Sequence, residues 1–123
     1  TPVIYAAGSV ALACLETLVH YDDSGLPFLR KLIEYRIPTE LAQKGQNVVP
    51  PEGWDQMPDS PSAAEAGTRW LESKASLLLF VPSVIIRTES NVLINPAHPE
   101  LSGIEVVDHG RFNYDPRLIG RTA

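Results

Sequence analysis

Cysteine is nearly absent: Cys14 is the only one in 123 residues. A single thiol makes no intramolecular disulfide and no cysteine-based zinc site, and the scarcity fits a reducing, cytoplasmic setting. Lys and Arg never gather into a run, and the formal net charge is −5, which argues against direct binding of nucleic acid. No apolar stretch approaches the roughly 20 residues that cross a bilayer, so neither a signal peptide nor a membrane partner is expected. His20, His98 and His109 have neither HxxxH nor HxH spacing and no flanking carboxylate cluster, so no metal site is expected. Neither GxGxxG nor GxxxxGK occurs. Any dinucleotide bound here is not held by a Rossmann or P-loop device. An initiator Met is also lacking, and the chain opens almost at once on a strand-like run. We therefore expect an N-terminal piece to be missing.

What remains is ordinary for a globular domain: 44% hydrophobic and 20% charged, in a length that makes one domain with a real core. Val3-Ile4-Tyr5-Ala6 reads as a short buried strand. Ser9 is placed to cap a helix over residues 10–21, whose apolar arc includes Leu12, Leu15 and Leu18. Glu16 and His20 fall outside that arc, four residues apart and adjacent on the helix surface. Asp22 to Gly25 ends the helix. Residues 29–37 alternate as a strand, with Ile33, Tyr35 and Ile37 on one side and Glu34 and Arg36 on the other. Pro38 closes it. Thr39 to Gln46 fits either a short helix or a strand end.

From Val48 to Pro61 four prolines and a glycine surround Trp54 and Met57, the composition of a loop or lid. Ser60-Pro61 opens a second helix running to about Glu72, with Ala63, Ala66, Trp70 and Leu71 toward the core. Leu77 to Val81 is a continuous apolar run, as in a strand covered on both faces. Further strands are expected at Val84–Ile86, Asn91–Ile94 and Ile104–Asp108, with an edge strand at Gly110–Tyr114. Two main helices and six or seven short strands make an α+β domain.

The residues that could carry chemistry each have two readings. Glu16 can hold a ligand hydroxyl or stabilise a cationic transition state, or it is a solvated helix-face residue paired with His20. Tyr5 offers a ring for stacking and a hydroxyl for bonding, or it is a core tyrosine. Ser83 follows Pro82 without a Gly-x-Ser-x-Gly elbow, so a binding hydroxyl or turn residue fits better than a nucleophile. Ser73 and Ser76 are its rivals for any ligand-binding serine. Asn91, Asn95 and His98 could touch a ligand, although Asn-Pro and His-Pro are also common turn formers.

Several pieces in order resemble the RES domain: Val3-Ile4-Tyr5-Ala6, Ala11 to His20, Gly67-Thr68-Arg69-Trp70-Leu71, Val81-Pro82-Ser83, Asn91 to Pro99, and Phe112 to Arg117. The Val-Pro-Ser and Asn-Pro-Ala-His-Pro segments are the most specific. The resemblance implies an ADP-ribosyltransferase-like fold, two small sheets clasping a cleft. It implies a toxin of a toxin–antitoxin pair that consumes NAD by breaking the nicotinamide–ribose bond, by hydrolysis or phosphorolysis. Some relatives instead transfer ADP-ribose to protein, and a non-catalytic interaction module is a third reading.

NAD is then the substrate, with no further cofactor required. A cognate antitoxin and a homo-oligomer within the toxin–antitoxin complex are the expected partners. By resemblance Glu16 matches the family glutamate and Tyr5 the family tyrosine. Ser83 is the first choice for the family serine and Ser73 the second. Asn95 joins Tyr5, Glu16 and Ser83 as a candidate NAD contact. The family arginine precedes the first strand, outside this chain, so the 123-residue chain alone is expected to be poorly active.

Overall fold

The structure, a computed structural model, describes residues 2–19, 30–48 and 61–118. The expectations for His20, the Asp22–Gly25 helix end, the Trp54 loop, the Ser60 cap and the side chains of Ala63 and Ala66 lie outside the described part.

The described residues form six strands and three α-helices: β1 (Ile4–Ala7), α1 (Val10–Val19), β2 (Lys31–Arg36), α2 (Thr39–Gln43), β3 (Gln46–Asn47), α3 (Pro61–Ser73), β4 (Leu78–Pro82), β5 (Ser90–Ile94) and β6 (Glu105–Arg111). They assemble as the expected α+β plan of two small sheets. One has the strand order β1-β5-β4-β3 and the other pairs β2 with β6. The segment after Pro38 is a short helix, begun by the Pro38 carbonyl, which accepts the N–H groups of Leu41 and Ala42 at 3.0 Å each.

The apolar run Leu77 to Val81 predicts burial on both faces, and β4 has it. Leu77, Leu78 and Leu79 are at most 3% exposed. β4 is flanked by β5 and β3, and the antiparallel register sets Ile94 opposite both Leu78 and Ile4. Because side chains alternate along a strand, this register divides the core in two. Leu78, Val92 and Ile94 pack toward Tyr35 and Ile37 from the second sheet's side and Leu41 of α2. Leu79 and Leu93 pack against Trp70 of α3. The turn from α3 into β4 is fixed by a buried serine. The Trp70 indole donates to Ser76 Oγ at 2.9 Å, and Ser76 Oγ donates to the Leu78 carbonyl at 2.7 Å.

Two strand expectations are corrected. Val84-Ile85-Ile86 is not a strand but part of the loop joining β4 to β5. Its N–H groups at Ile85 and Ile86 turn inward to Ser83 Oγ instead of a neighbouring strand. The strands expected at 104–108 and 110–114 are a single strand, β6. A bulge near Gly110 (φ 80°) lets the pairing continue from Ile33–Asp108 to Lys31–Arg111. Glycine suits that left-handed backbone. No helix among the described residues is long and apolar enough to cross a membrane.

Ser76→Ala leaves the buried Trp70 N–H without its acceptor. We expect a loss of about 1–3 kcal/mol, read as a lower urea midpoint with an unchanged slope.

Candidate active site

β1 runs into a tight turn whose backbone is held to the start of β5, the Gly8 N–H donating to the Ser90 carbonyl at 3.1 Å. Ser9 then caps α1 as expected, its Oγ accepting from the Leu12 N–H at 3.1 Å. The same hydroxyl donates to Glu89 Oε1 at 3.2 Å. Leu12 is 1% exposed and anchors the helix. One turn later stands Glu16, half-buried.

Glu16 meets Ser83 across 67 positions of sequence. Ser83 is fully buried. Its Oγ donates to Glu16 Oε1 at 3.0 Å and accepts from the N–H groups of Ile85 and Ile86, each at 3.1 Å. A hydroxyl has one proton and two lone pairs. Here the two backbone groups can only donate, so the proton is directed to the carboxylate. Glu16 Oε1 is therefore fixed as an acceptor, and Oε2 has no bond to a described residue. The serine's lone pairs are both engaged, which holds the hydroxyl in place and leaves none for nucleophilic attack.

A cleft of about 790 Å³ opens between the two sheets. One wall is β1 with the face of α1 that carries Val10, Ala13, Cys14 and Thr17. The other is β2 with β6 and the residues after it, including Glu34, Tyr35, His109, Phe112 and Tyr114. Tyr5, on the free edge strand β1, is 75% exposed and lines the cleft. Neither Glu16 nor Ser83 is part of the lining itself. Glu16 follows Ala13, which is, by three positions and lies about 60° around the helix from it, outside the arc of α1 that faces the cleft. Phe112 and Tyr114 meet edge to face with ring centres 5.0 Å apart.

The far wall carries paired charges. His109 Nε2 hydrogen-bonds Glu34 Oε1 at 2.8 Å, and Arg36 Nε donates to the same oxygen at 3.3 Å. The His109 bond, then Arg36, holds the Glu34 carboxyl below the usual range. Asp108 is held low by the Gly110 N–H and by Lys31. Burial pushes the Cys14 thiol up. Among the described residues no group of three His, Cys, Asp or Glu is arranged to hold a metal.

The remaining expected residues fall elsewhere. Ser73 ends α3, where its Oγ donates to the Trp70 carbonyl at 2.7 Å and accepts from the Ala75 N–H at 3.3 Å. It is not brought to Glu16. Asn95 is 1% exposed. Its Oδ1 accepts from the Ala97 N–H at 3.0 Å and its Nδ2 donates to the Leu71 carbonyl at 3.5 Å. That is the turn reading of Asn-Pro. His98 Nδ1 likewise accepts from the Glu100 N–H at 3.1 Å. Sequence reasoning missed Glu89, which clamps Ser9, and the Glu34–His109 pair. No local signal exists for contacts that span 80 and 75 positions.

The family model of the RES domain matches residues 1–115. The chain belongs to the RES domain family. Relatives of this RES domain include a Prs ADP-ribosylating toxin of Sphingobium sp., 44% identical over 120 residues, covering 95% of this chain and 74% of that protein. A protein named Toxin Res from Yersinia enterocolitica is 40% identical over 119 residues, covering 94% and 76%. Another of that name from Pseudomonas putida is 36% identical over 121 residues, covering 95% and 79%.

Two outcomes follow from the RES-domain geometry. Ser83→Ala removes the Glu16 bond and the cap on two backbone N–H groups, and should lower stability by about 1–3 kcal/mol in urea unfolding. Glu34 and Asp108 have folded-state pKa values below their unfolded ones, so their contribution is complete above the ordinary carboxylate range. It is lost as pH falls through that range and below. The urea midpoint should therefore fall between about pH 5 and pH 3, and less steeply in His109→Ala.

Proposed function

We propose that this RES domain is a toxin enzyme that consumes NAD by breaking the bond between nicotinamide and ribose. The observation that carries this reading is the Glu16 carboxylate, oriented by the buried Ser83 hydroxyl on the helix that, with Tyr5, contributes one wall of the cleft. Membership of the RES family and the toxin names of relatives at 36–44% identity support it.

The chemistry suits these residue types. As the C1′–N bond breaks, the electron pair leaves with nicotinamide, which departs neutral, and positive charge builds on the ribose as an oxocarbenium-like centre. A carboxylate held in place before the reaction stabilises that charge without reorganising. Glu16 has one oxygen fixed by Ser83, and the other, which no described residue bonds, can take a ribose hydroxyl or the charge itself. Tyr5 presents an exposed ring on which a flat nicotinamide can stack. The acceptor, water or phosphate, then bonds to C1′ and its proton passes to solvent. The leaving group needs no further activation, so no additional cofactor is invoked. In this account the cognate antitoxin acts by covering the cleft.

A second reading differs only in the acceptor: a protein side chain takes the ADP-ribose. The name of the Sphingobium relative, an ADP-ribosylating toxin, favours it. Nicotinamide release by the full-length product, freed of any antitoxin, tests the shared step. Glu16→Gln should lower the rate about a hundredfold or more while the far-UV circular dichroism is kept. A rate that depends on phosphate identifies phosphorolysis, and one that appears only with an added protein acceptor identifies transfer. NAD left intact under all three conditions would refute the proposal.

A further inference from the structure

The chain is acidic as a whole, yet the cleft is not. Among its lining residues two cations, Arg30 and Lys31, stand against one carboxylate, Glu34. The cations differ in what they already hold. Lys31 Nζ lies 3.5 Å from Asp108. The Glu34 carboxylate is taken by His109 and Arg36. Arg30 is exposed, and its guanidinium makes no hydrogen bond or ion pair with a described residue. Its backbone is fixed, because the Arg30 carbonyl accepts the Phe112 N–H at 3.0 Å. That bond ties the residue to the aromatic end of the same wall, where Phe112 meets Tyr114.

A planar guanidinium that spends none of its donors on a described residue, on a backbone held in a concave surface, is suited to bidentate binding of phosphate oxygens. Extending the NAD reading, we infer that Arg30 is a specificity-determining residue of the cleft. It takes the diphosphate of the dinucleotide on the wall opposite Tyr5, and so selects a dinucleotide over a substrate that ends at the nicotinamide ribose. Tyr5 and Arg30 then hold the nicotinamide and the diphosphate of one substrate across the cleft.

The test compares NAD with nicotinamide riboside, which has the scissile bond and no phosphate, on the full-length product. Arg30→Gln should lower the ratio of kcat/KM for NAD to that for the riboside about tenfold, mostly through KM for NAD. Arg30→Lys should recover part of the loss. Arg111→Gln, a cationic position on β6 outside the cleft lining, should leave the ratio unchanged. Inorganic diphosphate should compete with NAD in the wild type and compete about tenfold less well in Arg30→Gln. An unchanged ratio in Arg30→Gln, or an equal fall for Arg111→Gln, would overturn the inference. If the wild type consumes no NAD at all, the proposed function fails, and calorimetric titration with inorganic diphosphate still decides the anion site. Binding abolished in Arg30→Gln upholds it, and no binding to the wild type refutes it.

Discussion

A serine hydroxyl sealed from water must find every bond it makes within the protein. Ser83 does so with three partners from two parts of the fold, the N–H groups of Ile85 and Ile86 in its own loop and the Glu16 carboxylate on α1. This constraint joins the fold to the chemistry. It bends the loop after β4, which keeps Val84-Ile85-Ile86 out of the sheet, and it fixes the carboxylate on the helix. Ser9 and Glu89 repeat the connection one helix end away, so the β4–β5 loop grips α1 at its start and near its middle.

The two sheets supply what surrounds that pair. The four-stranded sheet is rigid for a simple reason: β4 and β5 are central strands with core on both faces, and their buried leucines, valine and isoleucine leave little room to shift. The two-stranded sheet is different. Its side chains on the cleft mix aliphatic Leu32 and Ile33 with Glu34, Tyr35 and His109, and its charges are paired at the surface, where such pairs contribute little. One wall is backed by the packed core, and the other presents mixed apolar, aromatic and charged groups to the cleft.

Much of the plan was legible in the sequence because the signals were local. The Ser9 cap, the unbroken run of Leu77 to Val81 and the alternation around Tyr35 each report on a few neighbouring residues, and each corresponds to an element. Glu16 and Ser83 were paired only through resemblance to the RES family; the geometry then set Ser83 apart from Ser73, whose hydroxyl is used to end α3. Val84-Ile85-Ile86 misled because a three-residue apolar run reads as a strand when nothing in it reveals a serine collecting its N–H groups. β6 was read as two strands because Gly110 breaks the pattern, whereas a bulge absorbs it. Asn95 resembled a ligand contact at the end of a strand, but burial turned its amide to the Ala97 and Leu71 backbone. The cleft's far wall was invisible for a different reason: Arg30, Glu34 and His109 meet only after β2 and β6 pair.

The central claim is that Ser83 acts on the chemistry through Glu16. A double-mutant cycle on kcat for nicotinamide release tests it most directly, with Glu16→Gln, Ser83→Ala and the double variant assayed where all remain folded. If Ser83 only orients the carboxylate, the double variant should be no slower than Glu16→Gln, with a coupling of about 1–3 kcal/mol. Two effects that simply add would contradict the account, since they would mean that serine and carboxylate serve the reaction separately.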